Sequence, residues 1–416
     1  MRLTRTPAAF PVAAALLLAA CATPNSGPAT PAATATGRGD FAPLDREMHA
    51  LVDQGKLAGV VTLVAHRGRV LHTDAYGVTD LETRAPMRED TIFRIASMTK
   101  PITGVAMMML WEEGKWKLDD PVAKYIPEFR DLKVKAADGS LAPQAHPMTM
   151  RELMSHTAGF DVSAGYEAAN LSETDLQGMI GKLAKLPLAA QPGTDWRYGP
   201  SVNIQGYIVE KLSGQRLDRF MQERIFTPLG MSDTQFWVDP SKVSRLARVN
   251  DYDAGGRLVS GPATLRVATE PPRFLAGSGG LYSTARDYWK FAQMLLDGGT
   301  ANGRRLLKPD TVALMRQDVL QPGVGVDLYG PVQPGTGFGL DFATVNDPAA
   351  AETPQGKGSF YWGGAFGTWF WIDPVNELVM VGMIQNMNGS TPGRGTPPVR
   401  MISYGPVYRA IGVTRP

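Results

Sequence analysis

The chain has 416 residues, 44% of them apolar and 20% charged, enough for a sizeable core and two structural units. Its 42 basic and 40 acidic residues nearly cancel, with no long block of either sign, so no basic footprint for a nucleic-acid partner exists. A single cysteine, Cys21, excludes an intramolecular disulfide.

The first twenty residues, MRLTRTPAAFPVAAALLLAA, place Arg2 and Arg5 ahead of a short apolar stretch, Ala8 to Leu18. This is a secretory signal pattern, too short for a comfortable membrane span. The ending LAAC resembles a bacterial lipobox, which implies loss of residues 1–20 and acylation of Cys21. The alternative is an ordinary signal peptide with a chance cysteine, but Cys21 stands at the one position where lipidation needs it. Residues 21–40, small, polar and rich in Ala, Thr and Pro, then read as a flexible tether. The expected location is the periplasm, at a membrane surface held by a lipid on Cys21.

Residues 41–416 carry the folded domain. Leu44, Met48, Leu51 and Val52 recur at helical spacing, with Gly59 as the stop. Two strand-like runs, 60–66 and 69–78, are joined by Arg67-Gly68, a tight-hairpin pair. ASMTK (96–100) opens an apolar helix that ends near Gly114. The stretch from about 120 to 255 reads as mostly helical, with candidates at 148–156, 172–185, 202–214 and 217–226. Strand patterns return at 337–345, 358–365, 367–374 and 377–386, before a last helix near 399–411. Strands at both chain ends predict an α/β fold: one antiparallel sheet flanked by helices, with a helical subdomain inserted at about 120–255.

A serine hydroxyl needs an adjacent base to act as a nucleophile. The chain has five histidines and no G-x-S-x-G elbow. Lysine can serve if burial lowers its affinity for protons, and Ser97 and Lys100, at i and i+3, share a helix face. The helix start would also direct free N–H groups at a developing oxyanion. Alone, S-x-x-K is a weak signal.

The longer segments are more specific. FRIASMTKPITGVAMMMLWEEGK with LDDPVAKYIPEF, then MTMRELMSHTAGF, WRYGPSVNIQGYIVEKLSG, IFTPLGMSDTQF, GSGGLYSTARDYWKFAQML and FYWGGAFGTWFWIDP run in the order of the serine β-lactamase and penicillin-binding-protein superfamily. They cover residues 41–385 and most resemble the class C β-lactamase-like family VIII carboxylesterases. The resemblance implies a β-lactamase/transpeptidase-like fold, Ser97 as acylated nucleophile, Lys100 as its proton partner and Tyr198 as a second base that relays the proton to the leaving group. It further implies an oxyanion hole from the backbone N–H groups of Ser97 and Ala365. No cofactor and no metal are expected, since no metal-ligand spacing and no phosphate-binding loop occur, GSGG at 277–280 included.

Two departures bear on the substrate. Where β-lactamases carry Lys-Thr-Gly, this chain has Trp362-Gly363-Gly364, so the cation facing a β-lactam carboxylate is replaced by an indole. The asparagine of Tyr-x-Asn is replaced by Pro200, with Ser201 or Asn203 as partial substitutes. Both changes favour esters, with Trp362, Gly363 and Gly364 lining the substrate site. The competing readings are a β-lactamase or D-amino-acid peptidase acting on cell-wall fragments, and a non-catalytic lipoprotein, which the presence of Ser97, Lys100 and Tyr198 argues against. His156 reads as structural, and Met107–Met109 as core.

Overall fold

The computed structural model describes residues 39–161, 174–263, 265–327, 331–387 and 395–413. Cys21, the leader and the tether up to residue 38 lie outside the described residues, as does the start of the helix expected at 172–185.

Helix α1 (Ala42–Asp53) buries Leu44, Met48 and Leu51, the helical repeat visible in the sequence. It ends earlier than expected: Gly55, at φ 67°, takes the left-handed turn, and Gly59 begins strand β1 (Gly59–His66) instead. β1 turns back into β2 (Arg69–Gly77) through Arg67 and Gly68, both at positive φ, the conformation of a two-residue hairpin turn.

The remaining sheet strands come from the far end of the chain: β3 (Thr336–Phe338), β4 (Ala343–Val345), β5 (Phe360–Gly363), β6 (Trp369–Asp373) and β7 (Leu378–Met383). They assemble in the order β3-β4-β5-β6-β7-β1-β2, all antiparallel. β1 and β7 thus join the two ends, with Val61 opposite Met383 and Leu63 opposite Val381. The run 337–345, expected as one strand, is a hairpin. It breaks at 339–342, where Asp341 adopts φ 65°.

β6 and β7 are buried along their whole length, because helices cover both faces. Alternation sorts the side chains between two cores. Val60 and Val64 pack with α1 and with the C-terminal helix α5 (Val399–Ala410). Val61, Leu63 and Ala65 face α2 (Thr99–Glu112) and α4 (Ala285–Leu296). Met107, Met108 and Met109 fill this second core. The segment expected to form a helical subdomain contributes Ile204, Leu217 and Phe220 to the same cluster, so it shares a core with the sheet. None of the described helices is long and apolar enough to cross a membrane.

Candidate active site

Ser97 lies in a single 3-10 turn, Ala96–Met98, which runs directly into α2. The turn is fixed on both sides: Ile95 N–H donates to the Leu281 carbonyl at 3.1 Å, and Leu281 N–H to Thr99 Oγ1 at 3.2 Å. Ala96, just before the serine, sits at φ 43°. Non-glycine residues in this region are held there by their surroundings and gather at functional sites.

Lys100 emerges one turn later and is 3% exposed. Its Nζ donates to Ser97 Oγ at 3.2 Å and to the Ser278 carbonyl at 2.7 Å. Burial lowers its pKa from 10.5 to about 7, against the opposing pull of the Asp341 charge. At neutral pH a large share of Lys100 is therefore unprotonated and able to accept the serine proton. The Ser278 carbonyl holds the ammonium end in place and is itself set by α3 (Ser201–Ser213), from which Asn203 Oδ1 accepts the Ser278 N–H at 2.9 Å. Asn203 is thus committed to the scaffold, and Ser201 is 1% exposed. Neither is placed as the sequence suggested, as a stand-in for the missing substrate-facing asparagine.

Tyr198 precedes α3 and brings its ring beneath Lys100, whose Nζ lies 4.3 Å from the ring centroid. Burial pushes its pKa well up, with the Ser97 hydroxyl pulling the other way. The group therefore enters any reaction as a neutral phenol. Trp362, on β5, packs 5.7 Å from the Tyr198 ring. Its indole N–H leans toward the phenol oxygen but is not aligned to donate, and it is buried without a hydrogen-bond partner.

Around this pair stands an aromatic wall. The His156, Trp196, Phe338 and Trp362 rings lie within 5–6.5 Å of one another or of Tyr198. His156, at φ 61°, has both ring nitrogens buried and unpartnered. Burial, then the Lys100 charge, holds it far below its usual range, so it is a neutral packing group here, joined to the tyrosine segment by Arg197 N–H on its carbonyl at 2.8 Å. Asp195 and Arg197 pair with each other at 2.7 Å.

The Trp362-Gly363-Gly364 segment runs past the serine turn. A Cβ on Gly364 would fall 2.4 Å from the Ile95 carbonyl oxygen and 2.3 Å from Thr368 Oγ1, so the close approach of β5 to the Ser97 turn requires glycine there. Ala365 follows at the exposed tip of the turn, closed by the Gly364 N–H to Thr368 carbonyl bond at 2.7 Å.

The structure thus brings together Ser97, Lys100, Tyr198 and Trp362. No residue pattern pointed to the Ser278 carbonyl, to the Asn203 bond that sets it, or to Asp341 packed on the Lys100 helix. The block GSGGLYSTARDYWKFAQML was the only pointer to the first, and only as a shared pattern.

The chain matches the family model described as Beta-lactamase over residues 44–401. It is 38% identical over 355 residues to "Protein Rv1367c" of Mycobacterium tuberculosis (strain ATCC 25618 / H37Rv), covering 80% of this chain and 87% of that one. Esterase EstB of Burkholderia gladioli is 34% identical over 363 residues, covering 80% and 88%. Among solved structures, "EstCE1, a hydrolase with promiscuous acyltransferase activity" superposes with a TM-score of 0.74 at 28% identity, covering 88% of this chain and 97% of that one.

Proposed function

Because the chain belongs to the β-lactamase family, we propose that it is a serine hydrolase cleaving carboxylic esters through an acyl-enzyme on Ser97. The observation that carries this reading is the buried Lys100 amine in hydrogen-bond contact with the Ser97 hydroxyl.

Lys100 takes the Ser97 proton as Oγ bonds to the ester carbonyl carbon. The resulting oxyanion is received by the Ser97 and Ala365 N–H groups, a contribution of about 3 kcal/mol per donor. Collapse breaks the bond to the alcohol oxygen. The proton held on Lys100 reaches that oxygen through the neutral Tyr198 phenol, which gives one proton and takes another. Water then repeats the sequence and frees the acid and Ser97. Because Lys100 must start unprotonated, kcat/KM should fall as pH drops below about 7.

Trp362 supports esters over β-lactams and wall peptides: it places a neutral, apolar indole where a carboxylate-bearing substrate needs a cation. The test pairs p-nitrophenyl butyrate with nitrocefin, using Ser97→Ala as control. A Ser97-dependent ester rate exceeding the cephalosporin rate about a hundredfold, some 2.7 kcal/mol, is expected. Equal or faster nitrocefin turnover would overturn the substrate assignment, and an unimpaired Ser97→Ala variant the nucleophile.

The leader supports a second proposal, that Cys21 carries a lipid and holds the enzyme at a membrane surface in the periplasm. Cys21→Ser should release it from the membrane fraction; unchanged association would refute the anchor.

A further inference from the structure

Asp341 has no part in the acyl-transfer steps above, yet its side chain is buried against α2, the helix that carries Lys100. It sits in the turn between β3 and β4, 1% exposed, at φ 65°, with its N–H bonded to the Met154 carbonyl at 3.0 Å. Oδ1 accepts from the Gln205 amide of α3 at 3.0 Å. Oδ2 is buried with no hydrogen-bond partner and presses on α2: a Cβ on Gly104 would lie 2.7 Å from it. Gly104 is four residues beyond Lys100, on the same helix face. Burying a carboxyl with one oxygen unsatisfied is costly unless a charge nearby compensates.

We propose that Asp341 is a positioning residue of the Ser97–Lys100 pair, the buried counter-charge against which Lys100 takes up the Ser97 proton. It touches neither the serine nor the substrate. When the Ser97 proton moves to Lys100 Nζ, a cation forms on a buried side chain. The two groups are coupled: a charged Lys100 favours the ionised form of Asp341, and the ionised carboxyl stabilises that cation and so strengthens the base. The other titratable groups facing Lys100 do not supply this: His156, from the 155–157 turn, and Tyr198, from the segment before α3, are both held neutral by burial, and the 277–280 loop presents only the Ser278 carbonyl. Burial pushes the Asp341 carboxyl up toward its neutral form, and the Gln205 N–H and the Lys100 charge oppose that. Gln205 is therefore part of the device.

The inference rests on Lys100 as the base. Its readout is the acid limb of the kcat/KM–pH profile for p-nitrophenyl butyrate. Asp341→Asn removes the charge at nearly constant volume. The limb should move to lower pH by about one unit, with a lower plateau. Gln205→Met, which leaves the carboxyl harder to ionise, should move it the same way by less, and it answers the question if Asp341→Asn does not fold. A limb unmoved from wild type in the folded variants would overturn the proposal. Lys100→Met separates the two levels: if its residual activity kept the wild-type limb, the base assignment itself would have failed, whereas a limb lost there but unmoved in Asp341→Asn sinks only the role of Asp341.

Discussion

Asp341 and Asp373 are both buried aspartates at strand ends of the same sheet, 1% and 0% exposed. At the end of β6, Asp373 accepts from five donors. Val375 and Asn376 N–H bind Oδ1 at 3.0 and 3.1 Å, while Gly356 N–H, the Asn376 amide and the Tyr408 hydroxyl bind Oδ2 at 2.8, 2.6 and 2.6 Å. Its charge is spent on closing the β6–β7 turn and pinning α5 to the sheet. Asp341 has one donor and a left-handed backbone, and its free oxygen faces the helix that carries Lys100. A carboxylate whose lone pairs are all satisfied holds a fold together. One left half-satisfied beside a buried lysine costs the fold and serves the site.

The comparison breaks most readily at Asp373. Asp373→Ala strands five donors, three of them backbone N–H groups, and should destabilise by about 4 kcal/mol, read as a lowered urea midpoint. The ester rate per folded molecule should stay near wild type, since nothing at Ser97 depends on this turn. A loss of activity larger than the loss of folded protein would mean that the two sides of the sheet are coupled.

Lys100 makes the opposite case. Its pKa falls from 10.5 to about 7 on folding, so between those values the unfolded chain binds the extra proton. Wild-type stability therefore rises with pH across that window, and the cost of burying Lys100 is greatest at and below about pH 7. Lys100→Met removes that cost but leaves the Ser278 carbonyl without its donor. It should stabilise the fold at pH 7 by roughly 3 kcal/mol while cutting turnover to a residual level, and its advantage should shrink toward pH 10. Urea midpoints at pH 7 and pH 9.5 measure both; an advantage that grew with pH would reverse the assignment.

The same contrast marks what could be read from residue types. The β1–β2 hairpin, α2 and the central strands were legible because their apolar runs are long and their turn residues, Arg67-Gly68 among them, are specific. Ser97 and Lys100 were legible because i, i+3 spacing on a helix places side chains together whatever the fold. GFGLDFATV was not: a buried charge between apolar neighbours looks like the solvent-facing position of an alternating strand, and only a turn with left-handed backbone hides it in the core. Nor could Ser278 be found, because a carbonyl oxygen is carried by every residue. Asn203 was misplaced for a related reason: an amide suits a substrate or a backbone N–H equally, and the packing of α3 against the 277–280 loop decided between them.

The smallest predicted change discriminates best. Asp341→Asn keeps a residue that tolerates φ 65° and an oxygen for Gln205, and it removes an ionisable carboxyl with an unpartnered oxygen. The change in stability should stay within about 1 kcal/mol of wild type or favour the variant, against the large loss at Asp373. Thermal and urea unfolding, run beside the pH profile, test both halves. A variant as stable as wild type with a displaced acid limb separates structure from function at one atom pair. A variant that loses several kcal/mol would place Asp341 with Asp373, as a carboxylate kept for the fold.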